Sequence, residues 1–314
     1  MTTGVEQLTV ACDVGASKVA IGVVGQAGVV EQGQFATPRD DPDQLLKLVG
    51  NSMLEFASSY DVSTAAIGFN GPAVYADGAC AVGPLYHITP DTFDLATRMH
   101  EIVPGLAGFS LLGLNDAETA AYAATRPPIL DREPAPGETV LYINQGTGIG
   151  GDAICDGRSM RMNGQLAEYG EVLLRQPDGT PATWGSLVSG EGIAERYGTG
   201  CCAATLYDDP STTATWEKVG EDMAWGLAAL LPTIGPSQVV IGGSVSRCHP
   251  RYHAAMERQL RHILFGCLSS DSATQIPAIS YVPERYLCTI ALQGAYSALQ
   301  SRAHQLVTVG QTAR

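Results

Sequence analysis

The same short pattern opens two halves of this chain. Residues 8–13 are a strand-like apolar run ending in a carboxylate, Asp13. Small residues follow at Gly15, Ala16 and Ser17, then Lys18 and a second apolar run over 19–24. About 130 residues later the pattern returns. Residues 139–144 form a strand-like run, Gly146, Thr147, Gly148, Gly150 and Gly151 crowd the turn, and 152–155 lead back. Each copy meets a further turn, Gly25 to Gly28 in the first and Asp156-Gly157 in the second. Met twice, this pattern predicts two related α/β lobes, each opening on an antiparallel hairpin whose tight turn faces a common cleft.

The segments between the hairpins fit that plan. Residues 42–59 carry apolar positions at a helical period, and 65–69 read as a strand ending in Asn70-Gly71-Pro72. Residues 91–102 read as helix. A strand over 111–114 stops at Asn115-Asp116, before an alanine-rich helix over 117–124. The Pro- and charge-rich stretch 127–137 reads as an excursion near the lobe boundary. Most of 190–230 reads as helix, 238–241 as a strand running into Gly242-Gly243-Ser244, and 250–265 and 289–306 as helices.

Charge and apolar content narrow the classes. With 18 basic and 32 acidic residues the net charge is −14, which repels nucleic acid and anionic membranes. An apolar content of 45% argues against disorder. No apolar run reaches the roughly 18 to 20 residues of a membrane span, and no signal peptide is read at the start, so a cytoplasmic protein is expected. The eight cysteines form no C-x-x-C pair and are expected as reduced, buried thiols. His249 and His253 stand four apart without an evident third ligand and read as a solvated helix face.

The glycine-rich turns carry the chemistry. Backbone N–H groups in such turns cradle phosphate oxygens, and a carboxylate at a strand end holds hydrated Mg²⁺. Either turn alone reads equally well as a plain hairpin; the pair points to a nucleoside triphosphate. Neither is a Walker A loop, and a Rossmann site is poorly supported because residues 146–151 open a hairpin and not a helix.

The ordered set Asp13-x-Gly15-Ala16-Ser17-Lys18, Gly68-x-Asn70-Gly71, Asn115-Asp116, Gly146-Thr147-Gly148-x-Gly150, Asn163-Gly164, Glu168-x-Gly170 and Gly242-Gly243 resembles the ROK family of sugar kinases, across nearly the whole chain. The resemblance implies a two-lobed actin-like ATPase (ribonuclease H-like) fold with a central cleft. One lobe would be residues 1–117 plus 295–314, the other 118–294, with the last helix crossing back to the first lobe. It further implies ATP and Mg²⁺ as cofactors, Mg²⁺ being held by Asp13 through water. The two hairpins would bind phosphates, with Gly242, Gly243 and Ser244 beside the adenosine. Asp116 would be the general base toward the sugar hydroxyl. Asn70, Gly71, Asn115 and Glu168 would bind the sugar, and a homodimer is expected. Asp116 also reads as a helix cap, and both roles are compatible.

Two departures bear on the substrate. The family segment that ends in His ends here in Glu171, and residues 175–184 hold no cysteine or histidine, so no zinc is expected there. Trp184 is the expected filler of that loop. Gly185 stands where a further sugar-binding glutamate is often found. Glu171 would accept from hydroxyls or pair with an ammonium group. Expected acceptors are glucose or an amino sugar such as kanosamine at the 6-hydroxyl; the alternative is a C7-cyclitol of valiolone type in antibiotic biosynthesis. A catalytically silent sugar-binding protein is disfavoured by the retained Asp13 and Asp116. A family repressor is disfavoured because only twelve residues precede Asp13 and the charge is acidic.

Overall fold

The computed structural model describes residues 7–15, 18–38, 41–71, 73–76, 79–82, 93–176, 178–197, 206–267 and 276–311. Contacts group the chain into two compact units, 1–127 with 157–166 and 288–314, and 128–156 with 167–287. The boundary read from the sequence at 117/118 falls inside a helix, and the grouping keeps that helix whole in the first unit.

In the first unit, β1 (Thr9–Val14) pairs antiparallel with β2 (Lys18–Gly25), which pairs antiparallel with β3 (Gly28–Ala36). On its other side β1 runs parallel to β4 (Thr64–Phe69), and β4 parallel to β8 (Ser110–Asn115), giving the order β3-β2-β1-β4-β8. A small antiparallel sheet joins β5 (Ala73–Ala76), β6 (Ala79–Val82) and β7 (Phe93–Asp94). Helix α1 (Pro42–Tyr60) starts where the Asp41 carboxylate accepts the Gln44 N–H at 2.9 Å and Pro42 pre-sets the first turn. Its buried Leu45, Leu46, Val49 and Met53 pack on Val10, Cys12, Ile21 and Ile67 of the sheet. Helix α2 (Leu95–Ile102) adds Leu95 and Met99 to that core, starting later than expected because Phe93-Asp94 pair as strand. Helix α3 (Asp116–Ala124) follows β8 directly.

The second unit repeats the plan. Strand β9 (Thr139–Gln145) pairs antiparallel with β10 (Ile149–Cys155) and parallel with β14 (Gln238–Gly242), which runs parallel to β15 (Ala278–Tyr281). Its sequence signature was the second hairpin. After β10 the chain passes through β11 (Arg158–Ser159), which groups with the first unit, and returns to a small hairpin of β12 (Leu173–Arg175) with β13 (Pro181–Thr183). Short helices α4 (Trp184–Val188) and α5 (Gly190–Arg196) lead toward the long α6 (Thr213–Ile234) and α7 (His249–Cys267).

That small hairpin covers most of the stretch 175–184, which holds no cysteine or histidine. The Asp178 carboxylate accepts the Thr180 N–H and hydroxyl at 2.9 and 2.7 Å, closing its turn. Trp184 behind it is fully buried among Leu187, Trp216 and Met223, and its ring lies where any side chain at Gly226 of α6 would stand. Packing of an indole on a helix backbone holds this loop, as expected of Trp184.

Helix α8 (Glu284–Leu287) closes the second unit, and α9 (Ile290–Gln311) returns the chain to the first. There α9 buries Leu292 and Ala295 against Ala11, Val24 and Ala66. A side chain at Gly294 would collide with the Thr119 carbonyl, so α9 lies hard against α3.

Two expectations fail locally. Cys12 and Cys248 are buried, but Cys155 is half-buried and Cys288 exposed. Cys201 and Cys202 lie outside the described residues. The His249–His253 pair is no plain solvated face: the His249 ring stacks on Tyr281 with centroids 3.9 Å apart, and His253 Nδ1 lies 2.9 Å from the Tyr281 hydroxyl. Among the described residues no helix is long and apolar enough to cross a membrane.

Candidate functional site

In the first unit the candidate residues converge on one sheet edge. Strands β1, β4 and β8 are parallel neighbours ending level, with Val14 opposite Phe69 and Phe69 opposite Asn115. Carboxyl ends of adjacent parallel strands are where open α/β sheets bind ligands. Asp13 lies here beside Gly68, with Gly15 and Lys18 in the following turn. Ala16 and Ser17 lie outside the described residues. The turn is held from below: the Gly15 N–H donates to the Lys18 carbonyl at 3.0 Å, and the Thr37 hydroxyl donates to the Gly15 carbonyl at 2.8 Å. Thr37 went unnoticed in the sequence because nothing local marks a residue 22 positions away as a partner.

Burial at the strand end pushes the Asp13 carboxyl up to about 6, with the Lys18 ammonium pulling it down. A carboxylate short of solvation gains most from a divalent cation, so the residue suits Mg²⁺.

Asn115 caps α3: its Oδ1 accepts the N–H groups of Ala117 and Glu118 at 2.9 and 3.3 Å. Its Nδ2 donates to the Gly71 carbonyl at 2.8 Å, and the Asn70 N–H donates to the Val14 carbonyl at 3.0 Å. Asn115, Asn70 and Gly71 are thereby knit together. Asp116 is the first helical residue, with Oδ1 accepting the Ala117 N–H at 2.8 Å. A Cβ on Gly68 would stand 2.8 Å from the Thr119 hydroxyl oxygen and 3.5 Å from Asp116 Cα. The absence of a side chain at 68 is what lets the first turn of α3 settle on the end of β4. The Asp116 carboxylate is therefore built from a strand end, a glycine and an asparagine cap.

The second unit carries the other candidates. The turn 146–148 joins β9 to β10, and the Gly146 N–H donates to the Gly148 carbonyl at 3.0 Å. The carbonyls of Gly146 and Thr147 accept the Gly190 and Glu191 N–H groups of α5 at 2.8 and 3.2 Å. With its carbonyls so engaged, the turn leaves Thr147 and Gly148 exposed. Gly150 lies inside β10 opposite Asn144, outside this turn. At the end of β14, Gly243 has a φ of +89°, and a side chain there would overlap the Gln145 carbonyl. Gly242 and Gly243 thus bring β14 against β9 at the turn, with Ser244 exposed just beyond.

Glu168 and Glu171 flank a short 3₁₀ turn, the Glu171 N–H donating to the Glu168 carbonyl at 3.0 Å. Desolvation first and the Glu171 charge second raise the Glu168 carboxyl above its usual range. Gly185 sits 3.3 Å, by its Cβ position, from the Gly170 carbonyl.

Two hairpin-led sheets with polar groups at their carboxyl edges define an α/β chain of two units. The ROK family model matches residues 9–284, and the chain belongs to the ROK family. It shares its fold with the ROK hexokinase from Thermus thermophilus, at a TM-score of 0.71 and 22% identity over 93% of this chain and 97% of that one. A ROK family glucokinase from Streptomyces griseus, solved with glucose and AMPPNP, gives a TM-score of 0.70 at 21% identity over 92% and 97%. N-acetylmannosamine kinase from Vibrio cholerae is 26% identical over 166 residues, 51% of this chain. That alignment spans about half of the relative's length (52%).

Proposed function

We propose that this chain is a carbohydrate kinase transferring the γ-phosphoryl group of ATP to a hydroxyl of a hexose or amino-hexose. The observation that carries the reading is Asp116 at the head of α3, on the same strand-end edge as Asp13. Asp116 accepts the proton of the acceptor hydroxyl as its oxygen attacks phosphorus, so the nucleophile gains charge only as the new bond forms. The proton stays on the Asp116 carboxyl while ADP departs. Asn70, Gly71 and Asn115 orient the acceptor around this carboxylate. Asp13 would hold Mg²⁺ through water, and the ion would supply charge neutralisation at the phosphates. The amides of Thr147 and Gly148 cradle phosphate oxygens, and Gly242, Gly243 and Ser244 border the nucleoside.

Glu168 and Glu171 favour an acceptor with an ammonium group at its 6-hydroxyl-bearing ring, a kanosamine-type sugar, because a cation offsets both the desolvation and the Glu171 repulsion that raise Glu168. The second reading is a valiolone-type cyclitol, favoured by Gly185 at the position where the family resemblance implies a sugar-binding glutamate. ADP release measured with glucose, kanosamine, N-acetylated hexosamines and a valiolone-type cyclitol separates these. Turnover confined to N-acetylated sugars would overturn the ammonium reading, and no turnover with any acceptor would overturn the kinase.

A further inference from the structure

Gln145 is the last residue of β9, one step before the Gly146–Gly148 turn, and it is fully buried. A buried amide needs partners for both its oxygen and its N–H groups. Its Nε2 donates to the Val188 carbonyl at 2.9 Å, and its Oε1 accepts the Tyr252 hydroxyl at 2.6 Å. Val188 and Tyr252 are themselves fully buried. Desolvation holds the Tyr252 hydroxyl well above its usual range, so it stays protonated and donates. The Tyr252 ring is fixed in turn by stacking on Trp216 of α6, with centroids 6.3 Å apart.

Through this one amide the end of β9 is tied to two other elements. Val188 closes α4, just before Gly190 and Glu191, whose N–H groups engage the Gly146 and Thr147 carbonyls. Tyr252 lies in the first turn of α7, the helix that follows the Gly243 turn. That turn has its own brace, the Ser246 hydroxyl donating to the Gly243 carbonyl at 2.7 Å. The spaces between these segments are tight. A Cβ at Gly190 would stand 3.1 Å from the Gly146 carbonyl oxygen and 3.3 Å from Val245, and one at Gly243 would overlap the Gln145 carbonyl.

Resting on the kinase reading above, we infer that Gln145 and Tyr252 are positioning residues for the ATP phosphates: their hydrogen bond fixes the Gly146–Gly148 turn against α5 and the Gly243 turn before the nucleotide arrives. Both act through the backbone, since both side chains are buried. An apolar pair of like volume would fill the same space with no polar groups to satisfy. It would not set the register of the strand end against α4 and α7, as two directional bonds do. Amides aimed at phosphate oxygens contribute most when nothing has to rearrange on binding, so register at residue 145 acts on the Thr147 and Gly148 amides.

The test uses the full chain, steady-state ADP release and thermal melts. Tyr252→Phe keeps the ring on Trp216 and removes only the hydroxyl; ATP KM should rise about fivefold with acceptor KM within about twofold of the parent. Gln145→Leu should raise ATP KM about tenfold with the same split. The double variant removes donor and acceptor together, so it should melt no lower than Gln145→Leu alone, and its ATP KM should match that variant instead of multiplying the two effects. Should Gln145→Leu fail to fold, Tyr252→Phe carries the test. Folded variants with parental ATP KM, or with acceptor KM raised as far as ATP KM, would overturn the inference and leave the kinase standing, as would effects that multiply in the double variant. A parent chain that releases no ADP with any acceptor would overturn both.

Discussion

The turn after β1 and the turn after β9 are two solutions to one problem. Both join an antiparallel hairpin whose first strand then runs parallel to the next strand of its sheet. Asp13 pairs with Ala20 and neighbours Gly68; Asn144 pairs with Gly150 and neighbours Gly242, so the two residues are equivalent by register. One hairpin has a carboxylate there and the other an amide, whose Oδ1 accepts the Tyr142 hydroxyl at 3.3 Å. The supports differ too. Thr37, from the end of β3, holds the first turn by one side-chain bond; the head of α5 holds the second by two backbone bonds. Under the proposed function the difference is a division of labour: the first hairpin would offer charge for a cation, the second neutral amides for phosphate.

The largest effect tests what stands beside the first hairpin. Asp116→Asn should lower turnover about 10³-fold with little change in fold, because an amide accepts no proton. Parental turnover would remove Asp116 as the base. Next, Asp13→Asn should cost about 10²-fold in turnover yet raise the melting temperature at pH 7. The folded Asp13 carboxyl titrates near 6, above its unfolded value, so the folded chain holds the extra proton between about pH 4 and 6. Stability therefore falls as pH rises through that window, and the cost of the ionised group is fully present at pH 7. Thermal melts should show the variant gaining at pH 7 and matching the parent below about pH 4. Parental turnover should fade as pH drops below about 6, where Asp13 protonates.

Asn144→Asp makes the second hairpin resemble the first. A carboxylate beside the phosphate cradle should raise ATP KM about tenfold and leave acceptor KM alone; an unchanged ATP KM would end the proposed division. The smallest effect is expected from Gly148→Ala. A Cβ at 148 meets nothing within 4 Å, so the melting temperature should hold while ATP KM rises about threefold. Gly243→Ala is its control, forced into the Gln145 carbonyl at positive φ, and should lose about 2 kcal/mol in denaturant unfolding.

Much of this was legible in the sequence because it is local. Period-2 runs with small-residue turns gave both hairpins, and Asn115-Asp116 before an alanine run gave the cap, the helix start and the proposed base together. What escaped has partners far along the chain. Glu118 finds Arg161 43 positions on, and nothing in an alanine-rich helix marks a glutamate as buried. His249 and His253 looked solvated because Tyr281 reaches their helix from β15. Gly150 looked like part of the turn, since glycine density gives no register; strand pairing assigns it to β10. Cys288, apolar by habit, is exposed because it falls between α8 and α9.

The close seat of α9 on α3 has a consequence for how the protein is made. The helix headed by Asp116 is completed by Gly294 and its neighbours, which are synthesised only after the whole of the second unit. Until they arrive, Ala11, Ala66 and the back of α3 lack their cover, so the first unit begun is the last one finished. The nascent chain accordingly carries the proposed base on an unsupported helix until the second unit has been made.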